Sequence, residues 1–115
     1  MIYVSLMAKR ADGIWIIDSD ARTLYANAAM AEILGADATK MLGQPSFQYV
    51  FPEDAAAAQG LFEKKQGGEA APFHFRLRRQ DGSEIWVDVQ GTPMKNAAGD
   101  FIGIVGTFSV SENQS

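Results

Sequence analysis

From Phe73 to Val89 apolar and polar side chains alternate: Phe73, Phe75 and Leu77 against His74, Arg76 and Arg78, then Ile85, Val87 and Val89 against Trp86, Asp88 and Gln90. A period of two belongs to strands with one face in a core. Gln80-Asp81-Gly82-Ser83 between the two runs predicts a tight hairpin, because Asp-Gly accepts the positive φ angles such turns need. After a further turn at Asn96-Ala97-Ala98-Gly99-Asp100, residues Phe101 to Phe108 form the last strand.

Upstream the period changes. Residues 2–10 place Ile2, Tyr3, Leu6 and Met7 on one helical face, and Asp12-Gly13 breaks that helix. Ile14-Trp15-Ile16-Ile17 is an unbroken apolar run of β-formers, which predicts a strand covered on both faces. A turn at Asp18-Ser19-Asp20-Ala21-Arg22 leads to a second strand, Thr23-Leu24-Tyr25-Ala26. Asn27 is an N-cap for a helix that buries Met30, Ile33 and Leu34 and stops at Gly35. Asp37 opens a second short helix ending at Gly43, and Pro45 to Val50 is a third piece. The longest helix starts at Phe51-Pro52-Glu53-Asp54, turns Ala58, Leu61 and Phe62 inward, and ends at Gly67-Gly68. The order β-β-α-α-α-α-β-β-β is that of an α+β domain. Its expected parts are a flanking helix over 1–11, the domain proper over 12–112, and a polar, frayed tail over 113–115.

Composition narrows the function more than the fold. The 115 residues suit one domain, enough to hide about two-thirds of the unfolded surface around one core. Ten basic against fourteen acidic residues argue against a nucleic-acid surface. The group Arg76, Arg78 and Arg79 reads as the solvated edge of a hairpin. With no cysteine, disulfides, thiolate nucleophiles and cysteine metal sites are excluded, and a cytoplasmic location is expected. No stretch is long enough to span a bilayer, and the short apolar start lacks the basic residues of a signal peptide. The single histidine, His74, points away from the core-facing Phe73 and Phe75, which makes it a surface residue. One histidine without cysteine does not supply a zinc site, and Glu53-Asp54 reads as helix capping. Nothing matches a phosphate-cradling glycine loop, so no enzyme is indicated.

From about Asp12 to Glu112 the chain resembles the PAS family. Asp12-Gly13-Ile14-Trp15-Ile16-Ile17-Asp18 is similar to that family's first strand, and Tyr25-Ala26-Asn27 with Ala28 to Gly35 to its second strand and first helix. Phe51-Pro52-Glu53-Asp54 is similar to the start of its long helix, and Gly91-Thr92-Pro93-Met94 to a strand end. Arg79-Gln80-Asp81-Gly82-Ser83-Glu84-Ile85-Trp86-Val87 resembles its most regular hairpin. Each motif is weak alone, and their order and spacing carry the likeness. The resemblance implies a five-stranded antiparallel sheet with helices packed on one face and the first two strands beside the last. It also implies a pocket between helices and sheet that holds a cofactor, a metabolite or only side chains.

The family's known cofactors can be compared residue by residue. Flavin-adduct members use a cysteine in the stretch occupied here by Gly43-Gln44-Pro45-Ser46, so Ser46 stands where the thiol would be. The strand positions that match their flavin-edge amides are Leu77, Val87 and Val105, which would leave flavin polar atoms unsatisfied at about 1–3 kcal/mol each. Haem-binding members draw an axial histidine from the long helix, which has none over 53–66, and a linked chromophore needs the missing cysteine. Covalent flavin adduct, cysteine-linked chromophore and helix-histidine haem are therefore disfavoured. On the family's facing, the pocket walls are Trp15, Ile17, Phe47, Phe75, Leu77, Val87, Val89 and Val105, closed by Met30, Leu34, Leu61 and Phe62. Ser46 and Thr107 are the polar atoms available to orient a ligand. Two readings stay open: a pocket for a small apolar or amphipathic ligand, and a filled core.

The opposite sheet face collects Ile14, Ile16, Ile102, Ile104 and Phe108, too much apolar surface to stay wet. With Ile2 and Leu6 of the flanking helix, these mark an expected dimer and signalling face, used by a homodimer. The resembled family ends its last strand with an Asp-Ile-Thr-like triplet, whereas here Ser109-Val110-Ser111-Glu112 stands there without the aspartate. The expected function is a signal-sensing regulatory module that binds a small ligand and relays to an output domain, in cis or in trans, such as a histidine kinase or a diguanylate cyclase. Such a module acts on its own or as part of a membrane-attached receptor, with no nucleic-acid partner and no membrane insertion of its own. The alternative is a ligand-free dimerisation and protein-interaction module of the same fold.

Overall fold

A computed structural model describes residues 12–69 and 71–115. The expected flanking helix, with Ile2 and Leu6, lies outside the described residues. Strands β1 (Gly13–Asp18) and β2 (Thr23–Ala26) come first, followed by helices α1 (Ala28–Leu34) and α2 (Ala38–Met41). Two 3-10 turns, Ser46–Tyr49 and Pro52–Asp54, lead into α3 (Ala55–Gln66). Strands β3 (Phe73–Arg78), β4 (Glu84–Lys95) and β5 (Phe101–Val110) complete the chain. The five strands form one sheet in the order β2-β1-β5-β4-β3, with every neighbouring pair antiparallel and the helices on one side.

Local chemistry sets these elements. Asn27 Oδ1 accepts the Met30 N–H at 2.9 Å, capping α1, and also accepts the Ile14 N–H at 2.9 Å, which ties the cap to β1. Gly35 ends α1 at φ 62°, left-handed as expected. Gly82 takes φ 90° in the β3–β4 hairpin, where Asp81 Oδ1 accepts the Ser83 N–H. The last residues, 113–115, carry hydrogen bonds: Gln114 Nε2 donates to the Trp86 carbonyl at 3.0 Å and its Oε1 accepts the Trp86 N–H at 3.0 Å.

Two expectations about charge are corrected. Asp54 does not cap α3 through its side chain. Its Oδ2 instead accepts from Arg76 Nη2 at 2.8 Å and Nε at 2.9 Å, while Glu53 lies 3.5 Å from the same guanidinium. Arg76 also sits 4.4 Å from the centroid of the Phe51 ring. Arg76 is therefore a clamp between β3 and the start of α3, not part of a solvated edge. The physical reason is spacing: a strand side chain at the sheet margin is long enough to reach round to the layer above.

The inner face of the sheet holds the core. Met30, Leu34, Met41 and Val87 are its fully buried side chains. α1 lies so close to β1 that a Cβ on Gly13 would come within 2.8 Å of Met30 Sδ. Glycine there permits the approach.

Candidate functional site

Away from α1, the helical layer and the sheet separate and leave a cavity of about 130 Å³. Its sheet side is built from Trp15 and Ile17 of β1, Phe73, Phe75 and Leu77 of β3, Val89 and Gly91 of β4, and Ile104, Gly106 and Phe108 of β5. Its helical side is Ser46, Phe47 and Val50, then Ala58, Leu61, Phe62 and Lys65 of α3.

Aromatic contacts hold this lining in place. Trp15 meets Tyr49 edge-on at 5.8 Å and Phe108 at 5.6 Å, and its indole N–H donates to Thr23 Oγ1 at 2.9 Å. Phe73 and Phe75 are T-shaped at 6.4 Å, and Phe62 packs edge-on against Phe101 at 5.8 Å. Gly91 and Gly106 face each other across β4 and β5. A Cβ on Gly106 would approach Phe108 Cε1 within 2.7 Å, so the glycine leaves the Phe108 ring its place at the cavity wall.

Of the residues expected in the pocket, Trp15, Ile17, Ser46, Phe47, Leu61, Phe62, Phe75, Leu77 and Val89 line the cavity. Met30, Leu34 and Val87 do not. They are buried in the solid core beneath α1, where close helix–sheet packing leaves no space.

The larger correction concerns β5. Val105 and Thr107 do not face the cavity; they lie on the outer side, opposite Ile16 and Ile14 of β1. Thr107 is exposed, and its Oγ1 donates to the Gln90 carbonyl at 3.4 Å. Ile104 and Phe108, assigned by pattern to the dimer face, point inward and line the cavity. The cause is an irregularity at the start of β5: Lys95 pairs with Phe101 while Met94 pairs with Gly103, so Ile102 is an extra residue. Phe101 faces inward as the alternation predicts, and one unpaired residue then inverts the parity of everything after it. Gly103 allows this at φ 155°, since a Cβ there would fall 2.2 Å from the Ile17 carbonyl oxygen.

Ser46 does reach the cavity, but its hydroxyl proton is committed to the Ala21 carbonyl at 2.6 Å. It keeps only acceptor capacity for a ligand. Pattern reading overlooked Lys65, a lining residue that is 3% exposed. Its Nζ donates to the Ala71 carbonyl at 2.7 Å and lies 5.4 Å from the centroid of the Phe73 ring. Burial pushes its pKa down, partly offset by the charge of Glu69. A signal existed: Lys65 follows Leu61 by four residues and Ala58 by seven, and so belongs to their stripe.

His74 stands on the outer face as expected. Its Nδ1 is 2.9 Å from Asp88 Oδ1, its Nε2 is 3.1 Å from the Ser115 carbonyl, and its ring stacks on Trp86 at 4.8 Å. These contacts raise its pKa, the Asp88 hydrogen bond most and the Ser115 carbonyl next. Among the described residues there is no cluster of three or more potential metal ligands, and no helix is long and apolar enough to cross a membrane.

The family described as PAS fold matches residues 2–110. The C4-dicarboxylate transport sensor protein DctS of Rhodobacter capsulatus is 34% identical over 94 residues, 78% of this chain. The match covers 14% of that sensor's length. Among solved structures, the PAS-B domain of Drosophila melanogaster Cycle with bound ethylene glycol superposes with a TM-score of 0.77 at 20% identity, covering 86% of this chain and 99% of its own. A light-oxygen-voltage domain studied with a flavin analogue gives 0.75 at 21% identity, covering 97% and 87%. A sensory box histidine kinase/response regulator from Burkholderia thailandensis gives 0.70 at 17% identity, covering 97% and 86%. At these identities the structural likeness is one of fold.

Proposed function

This chain belongs to the PAS family, and from that premise we propose that it senses a small, mainly apolar ligand in the helix–sheet cavity and relays the change to an output domain. The observation that carries this reading is the cavity itself: about 130 Å³ of space, walled by aromatic and aliphatic side chains, in a layer that could have closed on itself. An engineered apolar cavity of about 150 Å³ admits benzene, so the space suits a single ring or a short branched chain. Membership in a family of sensory modules also supports a regulatory role in place of catalysis.

The walls do not fit a flavin. Leu77, Val89, Ile104 and Gly106 offer no side-chain donor to the polar edge of an isoalloxazine, and three fused rings far exceed the space available. A C4-dicarboxylate, the compound in the name of the Rhodobacter relative, carries two anionic ends, whereas this lining has one cation, Lys65. The output domain we favour is a histidine kinase, because the Burkholderia protein of the same fold is one.

Signal transfer in this reading runs through the outer sheet face. Ile14, Ile16, Tyr25 and Val105 share that face, and Tyr25 and Ile102 are exposed. We place a homodimer there, with Val105 taking the part expected of Ile104 and Phe108. That surface also favours the second reading, a ligand-free dimerisation module.

Native mass spectrometry of the purified chain, repeated after denaturation, separates the two. An added mass lost on denaturation identifies a bound small molecule. Bare dimers that do not respond to any small apolar probe favour the interaction module. A monomer mass that stays constant with concentration rejects the dimer.

A further inference from the structure

We propose that the cavity selects a compact ligand with an apolar body and a single carboxylate, the carboxylate pairing with Lys65 Nζ. This rests on the reading of the cavity as a ligand site and specifies the ligand's class.

Lysine is almost never fully buried unless it is paired. Lys65 is 3% exposed, yet among the described residues no carboxylate lies within ion-pair distance of it. What it touches is a dipole and a ring face, the Ala71 carbonyl at 2.7 Å and Phe73 at 5.4 Å, while the charge of Glu69 acts on it from beyond ion-pair distance. An ammonium has three donors, and the carbonyl takes one. A full negative charge in direct contact with the ammonium is the complement that none of these supplies.

The scaffold makes room for this cation. A Cβ on Gly91 would meet Lys65 Cε at 3.3 Å and Cδ at 3.6 Å, so the glycine lets the lysine stem lie against the sheet. On the same helical stripe, Leu61 and Phe62 provide the apolar surface beside it. A neutral hydrocarbon would fill the space and leave the ammonium unmatched. A dicarboxylate would strand its second charge against phenylalanine and leucine. One carboxylate on a single ring or short aliphatic body satisfies both the charge and the volume.

The test uses benzoate and its neutral near-isostere benzamide, with binding followed by NMR at the methyl groups of Leu61 and Ile104. On the unmodified chain, benzoate should bind about ten-fold or more tightly than benzamide, the difference a desolvated charge-assisted pair provides. Lys65→Met keeps the stem and removes the charge; it should erase that preference while benzamide binding persists. Equal affinities on the unmodified chain overturn the proposal and leave the cavity reading intact, and this comparison needs no variant to fold. A preference for benzoate that survives Lys65→Met also overturns it. If neither compound shifts the cavity methyls at millimolar concentration, the cavity reading fails together with the proposal. If Lys65 serves only to anchor the Ala71 carbonyl, Lys65→Met lowers the melting temperature and the benzoate-to-benzamide ratio stays the same.

Discussion

Ile102 and Ile104 sit two residues apart on β5, and simple alternation would give them the same face. The structure separates them: Ile104 is 8% exposed on the cavity wall, whereas Ile102 is 43% exposed. Truncating each to alanine applies one chemical change to two environments. For Ile104, removing three carbons at about 0.8 kcal/mol each gives roughly 2.4 kcal/mol. A residual-cavity contribution adds to this, limited because the new space opens onto an existing void of about 130 Å³. The expected loss is about 3 kcal/mol for Ile104→Ala, against under about 1 kcal/mol for Ile102→Ala. For a domain of this size that corresponds to a fall in Tm of roughly 10–15 °C against a few degrees. Urea unfolding followed by tryptophan fluorescence reads the difference, since Trp15 is buried beside the cavity. Equal losses from the two substitutions would refute the inverted parity of β5, and with it the composition of the cavity wall.

Three further outcomes follow from the same geometry. Gly103→Ala places a Cβ 2.2 Å from the Ile17 carbonyl oxygen between two central strands, so no cooperative thermal transition is expected; a variant melting close to the parent would refute the close approach. Asn27→Ala removes one oxygen that serves both the Met30 and Ile14 N–H groups, and should cost about 1–2 kcal/mol in chemical denaturation; a loss of a few tenths would show that water replaces it. The pKa of His74 is raised by Asp88 and by the Ser115 carbonyl, so protonation is favoured in the folded state. Its contribution is therefore complete below the unfolded value of about 6.5 and disappears as pH rises through the folded pKa. Stability relative to His74→Phe, which keeps an aromatic ring on Trp86, should thus narrow with rising pH; a difference independent of pH would contradict the contact.

The helices, strands and turns were legible in the sequence because each is set by neighbours along the chain. Asn27 caps, Gly35 and Gly82 take positive φ, and the alternation from Phe73 to Val89 matches strands β3 and β4. The likeness to the PAS family supplied the strand order, which no local pattern contains. Half of the cavity wall was legible for the same local reason, since Leu61, Phe62, Phe75 and Leu77 repeat at the period of their elements.

What the tertiary structure alone decided arises where one element answers to another. The extra residue at Ile102 is visible only as a mismatch between β5 and β4, and it exchanged Val105 and Thr107 for Ile104, Gly106 and Phe108 at the cavity. Where α1 meets the sheet at Gly13 the core is solid, and where α3 stands above Gly91 and Gly106 it is open. Arg76 folded over the sheet margin because Asp54 lay within its reach, and Lys65 stayed inside because the Ala71 carbonyl and the Phe73 ring receive it. The period of an element tells which side chains share a face. Which face meets what, and how much space remains there, depends on packing between elements far apart in sequence.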